Sequence, residues 1–254
     1  MKKPYILVVN DDGITAPGIK ALIEVSKELG DVVMVAPDKP QSGMGHAVTF
    51  NSTLHLNKTK VMDVTGYACS GTPVDCVKIA VNKLLNRKPD LIVSGINHGA
   101  NSSINVIYSG TMSAAVEGAL QNIPSVGFSL LDHSIDANFD AAKVIAKKII
   151  ANMIENQMPK DVCLNVNIPN VSMDLIAGIK VCRQAIGNWE EDYDERKDPQ
   201  GRTYYWLSGK FVVNDNGTDS DEWALAHNYV SVVPVKHDIT NYEHLEKIKL
   251  FEHD

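Results

Sequence analysis

Two adjacent carboxylates, Asp11 and Asp12, close the apolar run at residues 5–9, and Gly13 follows at once in the segment VVNDDGITAPG. Neighbouring side chains on a strand point to opposite faces, so two acids in sequence serve one site only where the strand has already ended. A strand that stops at Asn10 or Asp11, with Gly13 permitting a sharp turn, lets both carboxylates converge. Held close they repel, and one is expected to take up a proton. A divalent cation removes that conflict. Two more oxygen donors stand past other strand-like runs: the Ser42 hydroxyl in QSGMGHA and the Asn97 amide in SGINHGAN. Four oxygens favour Mg²⁺ or Mn²⁺ over Zn²⁺ and leave room for water or a substrate oxygen. Each piece also has an ordinary reading. Asp-Asp-Gly makes a polar turn, and loop Ser and Asn commonly bond the backbone.

Ser109-Gly110-Thr111 stands just before a helical pattern. Free N–H groups at a helix start, with two hydroxyls, make a seat for phosphate. The same residues also serve as a plain cap. Asn101, in the preceding loop, can add an amide donor. Other chemistries lack their marks. There is no G-x-x-x-x-G-K-[ST], no G-x-G-x-x-G after the first strand and no G-x-S-x-G. The acidic tract NDNGTDSDE at 214–222 lacks the spacing of a calcium loop and reads as a solvated loop. His46 and His98 fall in the site loops, His98 either lining a site or simply exposed. The pair His237-Asp238 reads as structural.

What positions these residues is an alternation of strands and helices. Strand-like runs at 5–9, 32–36, 91–93 and 124–128 alternate with helical patterns opened by Pro17-Gly18, by Thr72-Pro73 and by the 108–120 stretch, and with a long amphipathic one over 139–155. Thr72-Pro73 is an N-cap followed by a first-turn proline. Residues 48–56 and 61–64 read as a hairpin or arm leaving the sheet. Such alternation predicts an α/β fold with a doubly wound parallel sheet, whose ligands bind at the carboxyl ends of the strands. After about residue 160 the pattern shifts to strands at 162–166, 179–181, 203–207 and 229–235, a charged exposed loop at 188–200, and a terminal helix over 241–251.

With 44% apolar residues among 254, one large α/β domain or one with an appendage can build a core. The apolar runs are too short to span a membrane. MKKPYILVVNDD meets acids too soon to read as a signal peptide. Four cysteines without metal or redox spacing are expected as reduced, buried thiols of a cytoplasmic protein. A net charge of −7 without a basic cluster argues against nucleic-acid polymers as partners. An anionic substrate then needs local compensation, for which a metal ion is the obvious source.

VVNDDG, QSGMGHA, SGINHGAN and YSGTMSAAVEG, in that order and spacing, resemble the survival-protein-E (SurE) family of nucleotidases through about Ser129, and more weakly through 164–169 and 231–240. The resemblance implies a Rossmann-like, doubly wound, mostly parallel core at 1–160. It implies one domain over 1–254, in which 161–254 completes the core and carries a β-rich, helical appendage used in oligomerisation. It further implies a metal-dependent phosphomonoesterase acting on nucleoside 5′- and 3′-monophosphates, and on short polyphosphate in some members. One divalent ion per subunit would be held by Asp11, Asp12, Ser42 and Asn97, with phosphate on Asn101, Ser109, Gly110 and Thr111. Dimers or tetramers are implied as well. Asp11 or Asp12 is also the candidate to accept the proton of attacking water. An aspartyl-phosphate route is the rival mechanism, disfavoured by the missing D-x-D. The rival function is a metal–nucleotide sensor without turnover. One departure stands out: Ser103 occupies a position where many members carry glycine, so the loop is expected to differ in shape.

Overall fold

The computed structural model describes residues 3–252; Met1 and Lys2, which open the leader-like stretch, lie outside them. The first half runs β1 (Tyr5–Val9), α1 (Pro17–Leu29), β2 (Asp31–Pro37), β3 (Leu56–Val61), β4 (Val64–Cys69), α2 (Pro73–Ile79), β5 (Leu91–His98), α3 (Gly110–Leu120), β6 (Ser125–Leu130) and α4 (Asp140–Glu155). The second runs β7 (Cys163–Ile168), β8 (Gly178–Val181), β9 (Gly187–Lys197), β10 (Thr203–Val213), α5 (Asp221–Ala226), β11 (Tyr229–Val235) and α6 (Leu245–Ile248).

Among the described residues, nine strands form one sheet in the order β3-β4-β2-β1-β5-β6-β7-β11-β8. The six neighbours from β4 to β7 pair in parallel, while β3 and β11 run antiparallel to β4 and β7. The fold is thus mixed but mostly parallel, α/β as expected. β1 is apolar throughout because it faces two cores. Ile6 and Val8 pack with Ile19 and Leu22 of α1 and Ile145 and Ile149 of α4. Leu7 and Val9 pack with Cys76 and Val77 of α2 and Ala114 of α3. Burying each such side chain contributes about 1.5–3 kcal/mol. α2 starts where its cap chemistry says it should. Thr72 Oγ1 accepts from the Asp75 N–H (3.1 Å), and the Asp75 carboxylate accepts from the Thr72 N–H (2.9 Å). All four cysteines are free and buried.

Four expectations need correction. The hairpin is made by β3 and β4, not by 48–56 and 61–64, and β4 joins the sheet beside β2. Its two-residue turn puts Met62 and Asp63 at φ 48° and 66°, the geometry usually flagged by Asn-Gly, which this turn lacks. Residues 188–200 are largely strand. β9 pairs with β10 in a ribbon, Gly187 opposite Val213 and Lys197 opposite Thr203. The ribbon is exposed on most of both faces, so no burial imposes an apolar/polar alternation on it. The tract at 214–222 is not merely solvated, since Asp221 is fully buried and Asp215 pairs with Arg183. The terminal segment is three short turns, Tyr242–His244, Leu245–Ile248 and Lys249–Phe251. Its Leu245, Ile248, Leu250 and Phe251 are exposed, and short helices without packing have little to extend them.

Candidate active site

β1 ends at Val9, before the acids. The Asn10 amide donates to the Gly13 carbonyl at 2.9 Å, and Gly13 takes φ +98°, a region glycine enters freely. The turn aims both carboxylates into one cavity of about 500 Å³ at the carboxyl end of the sheet. Asp11, Asp12, Ser42, Asn97, Asn101 and Ser109 all line it. Gly110 and Thr111 stand behind that lining.

Asp11 is only 4% exposed. Thr111, fully buried, donates its hydroxyl to Asp11 Oδ1 at 2.5 Å. Thr111 was expected to offer that hydroxyl to phosphate; instead it orients the acid. Gly110 permits this approach, because a Cβ there would lie 2.7 Å from Asp11 Cβ. Burial, reinforced by the charge of Asp12 and opposed by the Thr111 hydrogen bond, pushes the Asp11 carboxyl up to about 6. Burial also raises Asp12, against the backbone N–H and charge of His98. Both acids therefore sit where negative charge is poorly solvated, which a cation would relieve.

Asn97 lies beyond an irregularity in β5. Ser94 pairs with Gly127 and Asn97 with Ser129, so β5 holds one extra residue over that stretch. Such bulges re-aim a side chain. The Asn97 amide nitrogen donates to the carbonyls of His98 (3.2 Å) and Gly99 (2.8 Å), which leaves Oδ1 as the end turned to a ligand. Ser42 is exposed on a loop tied down by backbone bonds. Gln41 N–H donates to Asp11 O at 2.8 Å and Gly45 N–H to Tyr108 O at 3.1 Å. A third tie is His46 Nε2 against Glu117 at 3.2 Å. Glu117 is 1% exposed. Burial works against its ionisation, but hydrogen bonds from His46, Gln121 and Lys78 outweigh it and hold the carboxyl below the usual range. Two carboxylates, one hydroxyl and one amide oxygen fit a hard cation such as Mg²⁺ or Mn²⁺. Among the described residues no group of three or more His, Cys, Asp or Glu is gathered that could hold a metal, so neutral oxygens must complete the set.

The Asn101 loop hangs from strand β7. Asn101 N–H donates to Asn167 Oδ1 and its carbonyl accepts from Asn165 Nδ2, both at 2.7 Å. Its side-chain amide, expected as a donor to phosphate, gives one N–H to Ser129 Oγ at 2.8 Å and keeps a second. Ser109 does cap α3, accepting from Met112 N–H at 3.0 Å, so capping and cavity lining coincide in one residue. His98 lines the cavity, with Phe139 against its ring edge. Ser103 takes φ +51°, the left-handed conformation that favours glycine. Here its N–H donates to Asp221 and its hydroxyl to the Ala185 carbonyl, each at 2.9 Å.

Sequence reasoning missed the far wall, where His133, Trp189, Phe211, Glu222 and Leu225 meet the cavity. It also missed Thr111 and Glu117 as supports. One signal was available: Asn165 and Asn167, alternating and buried in the otherwise apolar LNVNI run, mark a polar network.

A mostly parallel α/β sheet with an oxygen-donor cavity at its strand ends defines a class of small-ligand sites at a topological switch point. The family described as survival protein SurE matches residues 6–191. Two relatives named 5′-nucleotidase SurE, from Flavobacterium psychrophilum and Christiangramia forsetii, are 58% and 59% identical over 250 residues. They align over 98% and 97% of this chain, and over 97% and 96% of their own lengths. The crystal structure of SurE protein from Aquifex aeolicus superposes with a TM-score of 0.85 at 39% identity, over 98% of this chain and 100% of that one. This chain belongs to the SurE family. No helix among the described residues is long and apolar enough to cross a membrane.

Proposed function

We propose that this single-domain protein is a metal-dependent phosphomonoesterase that hydrolyses nucleoside 5′- and 3′-monophosphates to nucleoside and phosphate, with short polyphosphate a lesser substrate. The observation that carries this reading is the convergence of Asp11, Asp12, Ser42 and Asn97 with the start of α3 in one cavity. The names of the relatives point the same way for the 5′ activity. Asp11, Asp12, Ser42 and Asn97 hold one divalent ion, Mg²⁺ or Mn²⁺. When bound, that ion neutralises phosphate charge and makes water a better nucleophile.

The chain does the rest. Backbone N–H groups of the first turn of α3, reached past Ser109 and Gly110, take phosphate oxygens. The Asn101 loop, fixed by Asn165 and Asn167, closes the phosphate end and stabilises charge developing on the equatorial oxygens. Asp11 or Asp12 accepts the proton of attacking water. Free buried thiols suit a cytoplasmic home. Assembly as a homodimer or homotetramer would use the second half of the chain, where the ribbon and the last turns leave large apolar side chains exposed.

Phosphate release from AMP and 3′-AMP, with Mn²⁺, with Mg²⁺ and with EDTA, tests the reading. Release with metal and none in EDTA is expected. Saturable binding without release, from folded protein, would replace it with a metal–nucleotide sensor.

A further inference from the structure

The cavity has a second half that phosphate chemistry does not use. Trp189, on β9, commits its one polar atom to Asn105 Oδ1 at 2.8 Å. It packs on Phe211, with ring centroids 5.7 Å apart and planes at 59°. With its N–H engaged, the indole offers only flat apolar surface, and it is 43% exposed. Glu222 lines the same cavity, bonded to Ser102 three positions before the Asn105 that holds Trp189. Its carboxylate takes the Ser102 hydroxyl on one oxygen at 2.5 Å, and no other hydrogen bond reaches it among the described residues. Ser102 follows Asn101 directly, so this acid stands one residue from the loop that closes the phosphate end. A carboxylate there accepts hydrogen bonds and repels further anionic groups. An aromatic face beside an acceptor matches a nucleoside and mismatches a phosphate chain.

Building on the phosphomonoesterase reading, we propose that this half of the cavity selects the nucleoside: Trp189 stacks the base, and Glu222 accepts a hydrogen bond from a nucleoside hydroxyl or amino group. The same Glu222 carboxylate turns away polyphosphate. Neither residue belongs to the four motifs that carry the family resemblance, so those motifs do not by themselves supply this selectivity.

The test is the ratio of kcat/KM for AMP to that for tripolyphosphate, measured with Mn²⁺ in wild type, W189A, W189F and E222Q. Loss of a base–aromatic stack is worth roughly a fivefold to hundredfold fall in that ratio for W189A. W189F, which keeps a stacking face, should retain most of it. E222Q should lower the ratio mainly by improving tripolyphosphate turnover. Comparison of AMP with 2′-deoxy-AMP and with IMP locates the donor on sugar or base. Ratios within twofold of wild type for both W189A and E222Q would overturn the inference. If wild type releases no phosphate from any substrate, the phosphomonoesterase reading falls separately. The inference is then read from AMP affinity: W189A must weaken it, and an unchanged Kd overturns it.

Discussion

At the acidic end of the cavity Asp11 is held by Thr111, Asn97 by two backbone carbonyls, and the Asn101 backbone by two asparagines of β7. At the far end Trp189 reaches the body from a ribbon exposed on most of its surface, with one side-chain hydrogen bond to Asn105. The first end is over-determined, as charge chemistry requires: a misplacement of about 1 Å there can cost about a hundredfold in rate. The second end offers a flat face and an acceptor, which tolerate small shifts. One cavity thus joins a tightly held acidic end to a loosely tied aromatic wall.

The largest expected effect falls at the rigid end. Asp12→Asn should lower kcat/KM on AMP by about a hundredfold or more, while far-UV circular dichroism stays native. Near-wild-type turnover would remove Asp12 from the scheme and blur the contrast between the two ends.

Next comes the pH dependence of metal-free protein. In EDTA the Asp11 carboxyl is raised from 3.8 to about 6 on folding. A raised acid binds its proton more tightly in the native state, so its contribution favours folding at low pH and is lost as pH climbs through that window. The loss amounts to about 3 kcal/mol at most. Urea unfolding of wild type and Asp11→Asn at pH 4.5 and pH 7 isolates this contribution. Wild type should lose stability relative to the variant as pH rises, and Mn²⁺ should restore it at pH 7. A difference independent of pH would mean that burial and the neighbouring Asp12 do not raise the Asp11 carboxyl.

Glu117→Ala should give the smallest effect. It removes the buried tie between the Ser42 loop and α3, costing about 1–3 kcal/mol of stability. Mn²⁺ affinity should weaken by about tenfold, as for other outer supports of a ligand, read by calorimetric titration. Unchanged affinity would show that the Gln41 and Gly45 backbone bonds place Ser42 unaided.

Much of the first half was legible in the chain. Pro17-Gly18, Thr72-Pro73 and Ser109 mark helix starts that the structure bears out, because a first-turn proline and a capping hydroxyl each act within three or four residues. Of the ribbon only part of β10 was read as strand, because its strands lack a buried face, and the β3–β4 turn was misplaced because Met62-Asp63 carries no glycine to mark it. Ser103 was expected to change the shape of its loop, but its φ of +51° is a conformation that glycine also enters freely.

By itself the sequence determined the order of strands and helices in the parallel core, the turn after β1, and six side chains that meet in the cavity. All of these follow from local patterning and from strand ends of a parallel sheet sharing one side. Only the tertiary structure decided that Thr111 serves Asp11, 100 positions away, that Glu222 joins Ser102 across 120, and that Trp189 faces the site. The first depends on how α3 packs beside the end of β1, the other two on how the second half folds back over the first, and no short-range propensity encodes either.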